Sequence, residues 1–284
     1  MPILACIIGS LASTIRDLYS KKLSNQVSGI VSASASFVYA LPIYLVLLVI
    51  AYIFGYEDFQ LGKNFLLLVA LRSSTDAMAE WLKMCSLKGT DISLVSPFFS
   101  LAPLFLLFTS PLITGDSISL QGFLGVVIVV LGTIVVGLKS FSYSIANRKS
   151  ILLALASAFF LSLNSCFDRL AVLETSPLLS SASMNLGAAI ILFIICLCTR
   201  NHSQLLIHKS NFFTRGIFEV CFMVLKLYAL QTLPAPYVMG IMRISIVFSV
   251  IAGWKIFKED EFVKRLIGSI LILIGTGVIV FGSF

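Results

Sequence analysis

The sequence predicts an all-α polytopic membrane protein of ten transmembrane helices, arranged as two inverted five-helix repeats. Three observations carry that prediction. Of 284 residues, 58% are hydrophobic and 12% charged, with a mean hydropathy of +1.03, too little polar surface to clothe a soluble globule. Apolar runs such as FLGVVIVVLGTIVVGL and LIGSILILIGTGVIVFGSF recur; at about twenty residues they match a helix across the bilayer, not the roughly ten-residue alternation of a barrel strand. Finally, the second half of the chain repeats the first. An odd number of spans in each half makes the second enter the membrane from the opposite side.

Apolar windows and their polar breaks give spans at 3–20, 27–54, 63–86, 91–113, 118–138, 150–170, 178–199, 211–231, 236–257 and 262–283. The opening MPILACIIGSLAS lacks a basic leader and is read as the first span. Span two carries Ser32, Ser34 and Ser36, and span seven Ser180, Ser181, Ser183 and Asn185; small hydroxyl residues at such spacing suit close helix packing better than substrate contact. Pro97 and Pro103 predict a broken or widened span four. Pro234 and Pro236 end span eight and begin span nine. Residues 139–149 read as a linker between a first repeat, 1–138, and a second, 150–284.

Three shifts align the halves. A shift of 143 lays Gly125, Gly132 and Thr133 on Gly268, Gly275 and Thr276, and Gly115-Asp116 on Lys258-Glu259. A shift of 148 lays Arg16 and Tyr19 on Asn164 and Phe167, and one of 147 lays Trp81 on Tyr228. The basic residues are also distributed unevenly. Fourteen lie in or near connections 1/2, 3/4, 5/6, 7/8 and 9/10, against Lys63 and Arg169 on the other side. The positive-inside rule then places those connections in the cytoplasm and both termini outside, in an inner (plasma) membrane of bacterial type.

Charged residues inside apolar spans are the candidate site. Arg72, Asp76 and Glu80, within RSSTDAMAEW of span three, are spaced four apart and form a stripe on one helix face. An ionisable group at that depth costs about 2.5–3.5 kcal/mol unless it meets a partner or water. The stripe therefore lines a substrate path or forms an internal ion-pair ladder. Counted by depth, Arg16, Arg72, Lys226 and Arg243 balance Asp17, Asp76, Glu80 and Glu219, as a low-dielectric bundle requires and as a zwitterion would use. Arg243, in the middle of GIMRIS, is placed to clamp a carboxylate or phosphate bidentately, or else to pair with Glu80 or Glu219. Glu219 and Lys226 share a face of span eight. Trp81 and Tyr228 are candidates to stack a substrate group, or interface anchors. Arg16-Asp17 and Asp168-Arg169, near equivalent ends of spans one and six, are candidate gate latches.

Several chemistries lack their signatures. No HExxH, GxSxG or GxxxxGK[ST] occurs, and His202, His208, Cys196 and Cys198 lack the spacing of one helical metal site. The expectation is a non-enzyme with no metal and no cofactor, driven by a proton, ion or substrate gradient. All six cysteines fall in or at the ends of apolar spans, so no disulfide is expected, and a net charge of +7 in loops says nothing of nucleic acid.

Near the end of the first half, SLVSPFFSLAPLFLLF (93–108) is followed by Gly115-Asp116, Gln121-Gly122 and Gly132. In the second, YVMGIMRISIVFS is followed by Lys258-Glu259, Gly268 and Gly275. With the five-plus-five plan, these residues resemble the EamA-like families of the drug/metabolite transporter superfamily over nearly the whole chain. Asp116 stands where those families commonly have glutamate, and the basic-residue bias is opposite to the termini-inside arrangement of many relatives. The resemblance implies a cavity between spans one to four and six to nine. It puts spans five and ten at the periphery, where a homodimer contact would form. The expected function is secondary transport of a small polar metabolite, a zwitterion such as an amino acid or its derivative, across the lipid bilayer. The alternatives are a lipid or lipid-linked head-group flippase and a non-transporting membrane subunit.

Overall fold

The computed structural model describes residues 1–24, 27, 29–55, 61–87, 98–99, 101–137, 148–199, 205, 207–257 and 262–282. Their architecture is helical throughout: α1 (Pro2–Ser24), α2 (Gly29–Ile53), α3 (Phe65–Leu87), α4 (Ala102–Ile113), α5 (Leu120–Gly137), α6 (Arg148–Glu174), α7 (Pro177–Cys198), α8 (Lys209–Leu230), α9 (Ala235–Ile241), α10 (Ile244–Phe257) and α11 (Phe262–Gly282). Among the described residues, five stretches are long and apolar enough to cross a membrane unaided: Pro2–Tyr19, Ile30–Ile53, Arg148–Glu174, Pro177–Cys198 and Ala235–Ala252. Helices α3 and α8 are long enough, but they carry the charges of the candidate site. Such helices are tolerable at bilayer depth only because neighbours cover their polar faces.

Local chemistry sets most boundaries. Ser176 caps α7 by accepting the Leu179 N–H at 3.1 Å, with Pro177 at the first helical position. Gly115 turns the chain out of α4 at φ 69°, a conformation that glycine adopts without strain. The linker expected at 139–149 lies outside the described residues up to 147, while Arg148 and Lys149 already belong to α6. Pro97 also lies outside them, and Pro103 starts α4 instead of kinking it. Span nine is where the structure departs most from a continuous helix: it divides at Met242-Arg243 into α9 and α10.

The packing has a two-fold pattern. Helix α5 lies along α11, and α2 along α7, each pair joining equivalent elements of the two halves. Helix α3 packs on α6 as α1 packs on α8, and α4 meets α6 as α9 and α10 meet α1. Exchanging the halves turns each of these contacts into another of the same set. The α5–α11 pair is the closest: a Cβ on Gly132 would stand 2.7 Å from the Gly268 carbonyl, and one on Gly275 would stand 2.7 Å from the Val129 nitrogen. The matched glycines thus let backbones approach, as small residues do between membrane helices. The hydroxyl stripes of spans two and seven serve the same end, with Asn185 donating to the Phe37 carbonyl at 2.9 Å.

Candidate functional site

Four helices converge on the region of Asp168, which is fully buried in α6. It accepts from Arg72 Nε of α3 at 3.1 Å and from Lys226 Nζ of α8 at 2.7 Å. Arg72 also pairs with Asp76 at 3.0 Å, one turn along α3, and Asn164 of α6 donates to the other Asp76 oxygen at 2.8 Å. Two cations and two carboxylates close at zero charge, and their hydrogen bonds hold three helices together. A buried pair survives desolvation only with such extra bonds. From α1, Arg16 reaches Glu219 of α8 at 3.1 Å and packs over Phe222.

The two interhelical pairs join corresponding helices with their signs exchanged. A shift of 147 lays Arg72 on Glu219. Arg72 on α3 meets an acid from α6, whereas Glu219 on α8 meets a base from α1.

This arrangement corrects part of the sequence analysis. Asp168, expected at a gate, is the hub of the interior network and belongs among the deep charges. Its signal is present in the sequence: Asp168 lies four residues, about one turn, after Asn164, so both look toward α3. Glu80 leaves the stripe and pairs with Lys83 at 3.2 Å. Trp81 and Tyr228 do not join the charges. Each sits nine residues beyond its charged neighbour, Arg72 or Glu219, and so about 180° around the helix. Trp81 is 61% exposed on the stripe of Leu67, Leu71 and Met78, and Tyr228 lies with Phe213 and Ile217. Those are lipid-facing positions, which suit an interface anchor.

The candidate gate residues separate. Arg169 pairs with Asp116 at 3.3 Å and donates to the Leu230 carbonyl, while Asp116 also accepts from Ser110, Thr114 and the Ala235 N–H. One carboxylate therefore ties the loop after α4 to the ends of α6 and α8 and to the start of α9. Arg16, paired with Asp17, instead reaches Glu219 of α8.

Arg243 differs from all of these. It sits where span nine is broken, and its guanidinium has no hydrogen-bond or ion-pair partner among the described residues, with Nε buried. Helix α1 lies against the break: Ser10 is 3.2 Å from the Met242 carbonyl and Thr14 3.0 Å from that of Ser245. Neither Glu80 nor Glu219 neutralises Arg243, since each pairs elsewhere.

Residues 1–138 and 148–281 match the profile of the EamA-like transporter family. The chain belongs to that family. Its architecture is accordingly that of the drug/metabolite transporter superfamily, a polytopic membrane transporter built from two repeats. Among solved structures, one titled "Crystal structure of protein" aligns over 99% of this chain and 97% of its own, with a TM-score of 0.76 and 13% identity. At that identity the likeness is one of fold. No curated protein sequence matches the chain.

Proposed function

We propose that this EamA-like protein is a secondary transporter of a small zwitterionic metabolite, an amino acid or a close derivative, and that the substrate carboxylate seats on Arg243. The observation that carries this reading is the imbalance of satisfaction. Arg72, Lys226, Arg16 and Arg169 each have an acidic partner within 3.3 Å and Arg215 donates to the Ser32 carbonyl and hydroxyl at 2.7 Å, whereas the Arg243 guanidinium has no partner among the described residues. An unpaired guanidinium with its Nε buried is costly, and a carboxylate that arrives with its own two oxygens offsets that cost bidentately. Transport proceeds by alternating access, with the two inverted repeats rocking about this region and the Asp116–Arg169 contact closing one face. No phosphate-binding loop supports ATP use, so the driving force is a gradient of protons, another ion or the substrate.

The test is uptake of radiolabelled amino acids into proteoliposomes. Arg243→Ala should lower uptake about 100-fold or more, as loss of a buried charge partner does. Arg243→Lys should recover only part of it, because an ammonium lacks the guanidinium fork. Uptake by the alanine variant at the wild-type rate would sink the assignment.

A further inference from the structure

Resting on that reading, we infer that Asp76 carries the coupling proton, and that Asn164 and Thr75 are the residues that let it do so. A proton that drives transport must sit where its arrival changes a contact between the two halves, because a charge that leaves those contacts alone does not distinguish the two states. Among the described residues, Asp17 and Glu80 each bond only a cation of their own helix, Arg16 and Lys83. Asp76, Asp116, Asp168 and Glu219 each bond across the halves, to Asn164, Arg169, Arg72 and Arg16.

What separates these four is the partner at each oxygen. A protonated carboxyl becomes a donor, and ammonium, guanidinium and backbone N–H groups have no lone pair to receive it. Asp168 offers one oxygen to Arg72 and the other to Lys226. Asp116 offers one to Arg169 and the other to the Ala235 N–H as well as two hydroxyls, so a proton on either would stand against a fixed donor. Glu219 bonds only Arg16, and its second oxygen has no bond among the described residues for an O–H to take over. Asp76 differs: Arg72 holds Oδ2 at 3.0 Å, but the single bond to Oδ1 among the described residues comes from an amide, Asn164 Nδ2, at 2.8 Å.

The bonds behind Asn164 let this chain run in either direction. With Asp76 ionised, Thr75 donates to Asn164 Oδ1 at 3.2 Å and Asn164 donates to Asp76. With Asp76 protonated, the amide turns over. The acid then donates to Asn164 Oδ1, Asn164 Nδ2 donates to Thr75 Oγ1, and the Thr75 hydroxyl turns to the Leu71 or Arg72 carbonyl, already 3.0 and 2.9 Å away. Every donor in the chain keeps an acceptor in both forms, which avoids the penalty of a stranded buried group.

The same proton changes how the halves hold each other. Asn164 belongs to α6 and Asp76 to α3, and a hydrogen bond to a carboxylate is roughly twice as strong as one between neutral groups, so protonation weakens the tie. It also leaves Arg72 with Asp168 as its one ionised partner and takes the Arg72, Lys226, Asp76 and Asp168 network from zero net charge to one positive. The charged groups around Asp76 are Arg72 and Glu80 of α3, Asp168 of α6 and Glu219 of α8, with Lys226 on the other oxygen of Asp168; α7, also packed on α3, has no charged residue.

The experiment uses proteoliposomes of the full chain, first for counterflow of radiolabelled amino acids and then for their accumulation under an imposed pH gradient with the membrane potential held at zero. Wild type should accumulate label under one polarity of the gradient, up to about 10-fold per pH unit for one proton per substrate. Asp76→Asn, whose amide can donate to Asn164 as the protonated acid does, should keep counterflow and lose accumulation. Infrared difference spectra of the wild type between alkaline and acidic buffer should also show a carboxylic-acid C=O band that Asp76→Asn removes, a reading that needs no substrate. Four results would overturn the role of Asp76: accumulation by Asp76→Asn, its loss of counterflow together with accumulation, a wild type with counterflow that accumulates under neither polarity, or a carboxylic-acid band unchanged by the substitution. A wild type without counterflow, whose band is present and removed by Asp76→Asn, would instead remove the amino-acid reading and leave the proton site standing.

Discussion

Loss of the Asp168 carboxylate would leave Lys226 charged, buried and without an acid, while Arg72 would still hold Asp76. The expected cost of Asp168→Asn is about 3–5 kcal/mol, the usual result of breaking a buried pair from one side. Adding Lys226→Met should return more than half of that, because it restores zero net charge around Arg72 and Asp76. Thermal unfolding of the purified variants would measure both. A double variant no more stable than the single would mean that Lys226 is solvated in the native state and the network is not closed.

At the scale of elements, the α5–α11 contact depends on the absence of side chains. An alanine methyl at Gly132 meets backbone, the Gly268 carbonyl at 2.7 Å and the Ile272 nitrogen at 2.8 Å, so the helices must separate. Gly132→Ala should destabilise by about 1–3 kcal/mol, in the range of overpacked cores. A methyl at Gly277 would have no neighbour within 4 Å, so Gly277→Ala should be neutral or stabilise by up to ~1 kcal/mol through helix propensity. Equal effects at the two glycines, read as midpoints of unfolding, would show that the helices do not meet face to face at Gly132. The break between α9 and α10 has the opposite character: polar side chains of α1 lie against it, Ser10 at the Met242 carbonyl and Thr14 at that of Ser245.

For the whole molecule, the distribution of basic residues makes a prediction about sidedness. In a cysteine-free background, Lys149→Cys at the start of α6 should react with a membrane-impermeant maleimide only after permeabilisation, whereas Lys63→Cys, ahead of α3, should react in intact cells. The reverse pattern would place the termini in the cytoplasm and turn the proposed topology over. The charge-exchanged pairs Arg72–Asp168 and Glu219–Arg16 join corresponding helices of the two halves, but their outer partners lie one turn apart, since Arg16 matches Asn164 and not Asp168.

Composition and periodicity were enough to establish a helical membrane protein, its ten spans, its two repeats and the glycines of α5 and α11, because apolar length and helical spacing are local properties of the chain. They also marked Arg72, Asp76, Glu219, Lys226 and Arg243 as out of place in apolar surroundings. Spacing within α3 and α8 already held the outward direction of Trp81 and Tyr228, since nine residues amount to half a turn beyond a whole number. Partnership could not be read in this way. Which acid neutralises which base depends on helices from different halves being brought side by side, and the structure decided it: Asp168 between α3 and α8, Glu80 with its own neighbour, and Asp116 with Arg169. That pairing also left the Arg243 guanidinium without a partner among the described residues, because Coulomb energy in a low dielectric is settled by distances of a few ångströms that no single helix specifies.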